Sequence, residues 1–245
     1  MRASADDAWK ALVAAASKPY RSAGRFALHF ARGKLGGDPV FRHVLEQGLI
    51  RPGARVLDIG CGQGLLASLL RAAGQAASAG RWPAEWAPAP QGARVHGIEL
   101  MATDVRRAAT ALGGDASFVC ADMRSAEYPA ADAVVLFDVL QYIDAPEQDA
   151  VLARARAALR PGGVLLLRAA DAAAGRGFRL STAVDRLVIG LRGGGWRRPL
   201  TGRPIAQWTE NLTGLGFEVQ TVPMSGRLPF ANVLVVARLP RPTPA

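Results

Sequence analysis

Val56-Leu57-Asp58-Ile59-Gly60-Cys61-Gly62-Gln63-Gly64 is a short apolar run that breaks into alternating glycines and leads straight into the helix-forming Leu65-Leu66-Ala67. That order predicts a strand, a tight turn and a helix, the unit from which parallel sheets with ligand sites at the carboxyl ends of their strands are built. Glycine in the turn lets the backbone come against a ligand with no β-carbon between them. The phasing is G-x-G-x-G, so Leu65 stands where the dinucleotide fingerprint G-x-G-x-x-G has its last glycine, which argues against a nicotinamide cofactor.

Two acids downstream extend the pattern. Gly97-Ile98-Glu99-Leu100 closes a second apolar run, Arg94–Glu99, with a carboxylate suited to accept hydrogen bonds from two ribose hydroxyls and to repel a 2′-phosphate. Val119-Cys120-Ala121-Asp122-Met123 closes a third, Ser117–Cys120; there Asp122 could accept from an adenine amino group while Met123 packs beside the base. Working outward, strands over Arg55–Ile59, Arg94–Glu99, Ser117–Cys120, 133–137 and 164–168 alternate with helices near 65–73, 103–112 and 146–159. This alternation specifies an α/β fold with a largely parallel sheet covered on both faces. A helix over 205–215 and strands over 218–222 and 232–237 follow.

Before residue 50 the period is helical. Phe26, His29 and Phe30 recur at i, i+3 and i+4 and predict a helix with that stripe laid on something apolar. Asp38 as cap, Pro39 at the first position and Gly48 beyond the end bracket another helix through Val40, Val44 and Leu45. Two stretches depart from the rhythm, and insertions on a regular scaffold commonly carry specificity. Residues 75–92, with Trp82, Pro83, Trp86, Pro88 and Pro90, predict a loop; 172–203, with seven arginines and the single acid Asp185, predict a short helix around 182–191 and a mobile basic connection. The expected organisation is a helical cap over 1–50 belonging to the same domain, the main domain over 51–240 with the basic insert, and a tail from 241.

These residues together resemble the class I S-adenosylmethionine-dependent methyltransferases over roughly residues 51–237. The likeness rests on the glycine-rich turn, Glu99, Asp122, the run 133–137 followed by Asp138, and Leu159-Arg160-Pro161-Gly162-Gly163 before the fifth strand. It implies a Rossmann-like seven-stranded sheet of order 3-2-1-4-5-7-6 with the last strand antiparallel. It also implies S-adenosyl-L-methionine as cofactor, held by Asp58, Gly60, Cys61, Gly62, Gly64, Glu99, Leu100, Asp122, Met123 and Asp138. In that family the counterpart of Asp58 meets the methionine end of the cofactor.

Methyl transfer from a sulfonium is an in-line displacement, so alignment and exclusion of water matter more than acid–base groups. A carboxylate acceptor needs no base; a phenol, with a solution pKa of about 10, benefits from one. The segment after the fourth strand reads Asp138-Val139-Leu140-Gln141-Tyr142, without the [DN]-P-P-[FY] signature of amino-group methylation, and no Pro-Cys pair suits attack on cytosine. A small aromatic or acyl acceptor is therefore expected, with His29 as candidate base and Gln141 and Tyr142 as orienting groups. RNA methylation, or cofactor binding without catalysis, are the alternatives. Residues 26–41 and 223–234 resemble methyltransferases of bacterial aryl-polyene pigment clusters, which implies an aromatic or polyene acceptor on an acidic acyl carrier protein.

The charge fits an anionic partner. The formal net charge is +10, and counts of Lys and Arg against Asp and Glu are ten to five over 1–60, ten to eleven over 61–170 and ten to four over 171–245, so the excess lies at the ends. An uninterrupted apolar run long enough for a membrane span is lacking, and Asp6, Asp7 and Lys10 break any secretory core, so a cytoplasmic protein is expected. Cys61 and Cys120 have no ligand-type spacing and suggest neither a disulfide nor a metal site.

Overall fold

A computed structural model describes residues 4–174, 200–224 and 232–241. Seven strands, β1 (Arg55–Ile59), β2 (Arg94–Glu99), β3 (Ser117–Cys120), β4 (Ala131–Phe137), β5 (Leu159–Ala170), β6 (Glu218–Pro223) and β7 (Asn232–Arg238), form one sheet of order β3-β2-β1-β4-β5-β7-β6. β1 with β2, β2 with β3 and β4 with β5 pair in parallel, whereas β7 runs antiparallel to both β5 and β6. The expected order and the antiparallel last strand are both present. β4 begins two residues before the expected 133, because Ala131 pairs with Leu159 ahead of a register shift that ends at Ala133 opposite Val164.

By its contacts the chain divides into two compact units, Met1–Met123 and Arg124–Ala245. In the first, helices α1 (Ala5–Ser17), α2 (Arg25–Gly37), α3 (Pro39–Glu46), α4 (Leu65–Ser78) and α5 (Ala102–Leu112) accompany β1 to β3. Asp38 caps α3 as expected, its side chain accepting from the Val40 N–H with Pro39 in the first turn. The α2 stripe is corrected: Ala27, Ala31 and Leu35 are the buried positions, while His29 is exposed and Phe26 is 43% exposed. Phe26 and Phe30 stack on each other with centroids 5.9 Å apart, and the Arg107 guanidinium lies 4.7 Å from the Phe26 ring centre. Alanine at i and i+4 lets α2 close on α1, which two phenylalanines would hold away.

The stretch 75–92 is a loop only in part, since α4 continues to Ser78 before Gly80 turns the chain at φ +66°. The remainder is folded on itself: Trp82 and Trp86 meet edge to face at 5.2 Å, and the Trp82 indole N–H donates to the Ala87 carbonyl. It feeds the start of β2, the amino end of the strand and therefore the edge away from the carboxyl ends where such sheets bind ligands. Its two tryptophans stabilise the loop.

The second unit contains β4 to β7 with α6 (Ala145–Ala158) and α7 (Ile205–Gly214). α6 opens with a complete capping box, Asp144 and Glu147 each accepting from the other's backbone N–H. Most of the basic insert, including the short helix expected over 182–191 and Arg197 and Arg198, lies outside the described residues. Among the described residues no helix is long and apolar enough to cross a membrane.

Candidate functional site

The glycine-rich turn leaves β1 at Ile59 and folds back on β2. The N–H groups of Gly60 and Cys61 both donate to the Ile98 carbonyl, at 2.8 and 3.1 Å. Gly64 adopts a left-handed φ of +74°, and a β-carbon there would stand 2.7 Å from the Phe118 ring and 3.1 Å from Leu112. Gly97 on β2 is as tightly held, with Cys61 Sγ 2.6 Å from where its β-carbon would be. Gly64 is thus clamped against β3 and the end of α5, and Gly97 against Cys61 and Phe118, with no room for a β-carbon at either.

Glu99 is the organising side chain. One carboxylate oxygen accepts from the Gly62 N–H and the other from the Met101 N–H, both at 2.9 Å, so Glu99 ties the turn to the strand end beside it. Leu100 and Val119 are 51% and 42% exposed, two large apolar side chains left uncovered near the ends of β2 and β3. Asp122 and Met123 are half-buried in the segment that follows. An apolar, planar group set beside carboxylates would suit this edge, as an adenosine moiety does.

Asp58 at the end of β1 is buried, and among the described residues no Lys or Arg pairs with it. Burial first, and the neighbouring Glu99 second, push its carboxyl up to about 7. Burial also raises the Cys61 thiol well above its usual range, with Asp58 and Glu99 adding to the effect. Cys61 therefore stays a neutral thiol that fills space, not a nucleophile. A buried carboxylate short of a cation is suited to receive a positively charged ligand.

Sequence reasoning missed what holds the turn from behind. Tyr20, in the short 3-10 turn Lys18–Arg21, is fully buried and its hydroxyl donates to the Gln63 carbonyl at 2.7 Å. Burial keeps this phenol far above its normal range, so it remains a donor. Ser68 on α4 donates to the Ala16 carbonyl at 2.6 Å and fastens α1 to the same region. His29, the candidate base, lies on the exposed face of α2.

In the second unit the segment after β4 is held by two buried polar side chains. Asp138 is at φ +54°, a left-handed conformation, and its carboxylate accepts twice from the Arg168 guanidinium of β5, once at 2.8 Å from Nε. Gln148 of α6 donates its amide to the carbonyls of Leu140, Ile143 and Thr201 at 2.9, 3.2 and 3.0 Å. The Thr201 N–H in turn donates to the Gln141 carbonyl at 2.9 Å. Gln141 and Tyr142 are half-buried on this braced 3-10 turn, Leu140–Tyr142. No local signal marked Arg168 or Gln148.

The sheet order, the glycine turn and the strand-end carboxylates define a class I methyltransferase fold. A family model described as a methyltransferase domain matches residues 28–221, and the chain belongs to that family. It is 35% identical over 123 residues to a carboxy-S-adenosyl-L-methionine synthase of Chromohalobacter salexigens, a match covering 48% of this chain and 40% of that protein. The chain thus aligns with less than half the length of that relative. Among solved structures it resembles the magnesium protoporphyrin IX methyltransferase of Synechocystis PCC 6803 with bound S-adenosylhomocysteine, at TM-score 0.52, 22% identity and coverage of 77% of this chain and 74% of that one. It also resembles an O-methyltransferase family protein from Burkholderia thailandensis, at TM-score 0.60, 20% identity and coverage of 91% and 63%.

Proposed function

We propose that the chain methylates a small aromatic or acyl molecule, free or borne on an acidic carrier protein, using S-adenosylmethionine held along the turn and strand ends of the first unit. The observation that carries the cofactor placement is the Glu99 carboxylate gripping Gly62 and Met101 at the carboxyl end of β2. In this reading Glu99 takes the ribose, Asp122 and Met123 the adenine with Leu100 beside them, Gly60 to Gly64 line the turn, and Asp58 faces the amino-acid end. When bound, the cofactor supplies an electrophilic methyl on sulfur. The protein's part is then to align a nucleophile, exclude water and, for a phenol, to hold a proton acceptor. Gln141, Tyr142 and His29 are assigned to the acceptor side and Asp138 to the cofactor by the resemblance, and the bracing of the segment after β4 by Arg168 and Gln148 suits a pre-organised positioning element. The basic ends of the chain favour an anionic acceptor or carrier.

The test is transfer of a tritiated methyl from S-adenosylmethionine to a panel of phenols, carboxylates, carrier-bound acyl thioesters and bulk tRNA. Label in the first three classes and none in tRNA is expected; label in tRNA alone overturns the acceptor reading. S-adenosylhomocysteine should bind and NADH should not.

A pH dependence follows from Asp58. Its carboxyl in the folded protein is up at about 7, above the unfolded value, so folding takes up a proton between about pH 4 and 7 and the ligand-free protein loses stability as pH rises through that window. A bound α-ammonium prefers the ionised carboxylate and opposes that loss. S-adenosylhomocysteine affinity should therefore fall as pH drops from 8 to 6, approaching about tenfold per pH unit below the folded value. Asp58→Asn should flatten the profile. Calorimetric titrations at several pH values that give a constant affinity for the wild type would remove Asp58 from the amino-acid end.

A further inference from the structure

The first unit holds a pocket of about 540 Å³ that follows one face of α4 from Ala67 to Ala79. It is closed by Leu112 at the end of α5 and by residues 90–93 and Ala116, which precede β2 and β3. The pocket therefore opens toward the amino ends of these strands, whereas the cofactor is placed at their carboxyl ends. Small-molecule sites commonly have this volume. Leu70, Val95 and Leu112, all buried, give it an apolar floor, and Arg71, Gln75, Ser78 and Gln91 supply polar lining. The Gln91 amide donates to Ser78 Oγ at 3.1 Å, which ties the segment entering β2 to the end of α4 across the rim. Gly74 lies on the same face of α4, where a β-carbon would meet only the Gln91 Cα at 3.6 Å, an ordinary contact. Alanine would fit there and is the better helix former, so glycine keeps the wall low at a cost to the helix.

Among the described residues that line the pocket, Arg71 alone is charged. A guanidinium has five donors in a fixed fork and takes a carboxylate through two parallel hydrogen bonds. Gln75, one turn further along the same helix face, adds a neutral donor. At the same edge Arg55 and Arg94, opposite each other in register at the amino ends of β1 and β2 and both exposed, contribute positive potential. One lining cation above an apolar floor matches a ligand with a single negative charge on an apolar body; a phosphate dianion would call for a second cation. We propose that this pocket is a second ligand site, for a small carboxylic acid with an apolar body, whose carboxylate is taken by Arg71 while the body rests on Leu70, Val95 and Leu112. The assignment goes beyond the methyl-transfer reading and does not depend on it.

The test measures binding of 2-naphthoate, 4-phenylbutyrate and indole-3-propionate, each beside its neutral carboxamide, by ligand-observed NMR titration of the full chain. At least one acid should bind the wild type tenfold or more tightly than its amide. Arg71→Gln should reduce that preference to less than twofold, and Gly74→Leu, which fills the pocket from α4, should weaken the acid tenfold or more. Saturating S-adenosylhomocysteine should leave the affinity for the acid within twofold. Binding of none of the acids, equal binding of acid and amide, full affinity in a folded Gly74→Leu protein, or displacement by S-adenosylhomocysteine each overturns the assignment. Should Gly74→Leu not fold, Ala79→Trp at the exposed end of α4 applies the same block and decides. Failure of S-adenosylhomocysteine itself to bind would defeat the cofactor placement, and the Arg71 and Gly74 variants would still decide the pocket.

Discussion

Glu99→Gln should cost the protein roughly 1.5 to 3 kcal/mol of S-adenosylhomocysteine affinity, or between about tenfold and 150-fold in the dissociation constant. The size follows from the use already made of the carboxylate. Both oxygens accept from backbone N–H groups, of Gly62 and Met101, and an anion has lone pairs left for a pair of hydroxyls. A glutamine has the same outline, yet its amide nitrogen must face one of those two N–H donors, and the turn loosens as the ribose acceptor weakens. A second effect separates this from general damage. Glu99 is one of the two causes that raise Asp58, so its neutralisation should also shift the fall in affinity to lower pH. Calorimetry across pH on a variant with an unchanged circular dichroism spectrum checks both points; full affinity in such a variant removes Glu99 from the cofactor site.

The largest effect on stability is expected at Asp138. Removing it leaves the Arg168 guanidinium, 3% exposed, without its carboxylate, and breaking a buried pair in this one-sided way costs about 3 to 5 kcal/mol. Asp138→Ala also gives up the tolerance of a left-handed backbone that a short polar side chain has and alanine lacks. Asp138→Asn escapes that loss, since asparagine tolerates the conformation and can still accept from Arg168. Arg168→Met should cost less than Asp138→Ala, because the charge left behind belongs to a side chain that is 22% exposed and can reach water. Urea midpoints should therefore order as wild type, then Asp138→Asn and Arg168→Met, then Asp138→Ala. Midpoints that all fall within experimental error of the wild type would show that the pair holds no stability.

The strands of the first unit were legible to the residue because each apolar run meets a glycine or an acid at its end or within two residues of it. Arg55–Ile59, Arg94–Glu99 and Ser117–Cys120 are the expected limits and the observed ones. The same endings exposed the strand-end carboxylates. α2 was illegible in its facing, because Phe26/His29/Phe30 and Ala27/Ala31/Leu35 both satisfy a helical period. What decides between them is how close α1 must come, and that is a tertiary fact favouring alanine. The bracing residues share that difficulty. Tyr20 meets Gln63 across 43 residues, and Arg168 meets Asp138 across 30, so neither pair leaves a local pattern.

The connection between β5 and α7 is stapled at its two ends. The Ala172 N–H donates to the Arg203 carbonyl at 3.3 Å, the Ile205 N–H donates to Asp171 at 3.2 Å, and Thr201 is latched to Gln141 and Gln148. A stretch whose two anchor points already touch makes almost no demand on its own length, for doubling a flexible loop costs only about 0.6 kcal/mol of closure entropy. The ends of β5 and α7 are thereby held together whatever the length of chain between them. The closure of this connection is thus fixed by Asp171, Ala172, Thr201, Arg203 and Ile205, residues of the scaffold itself.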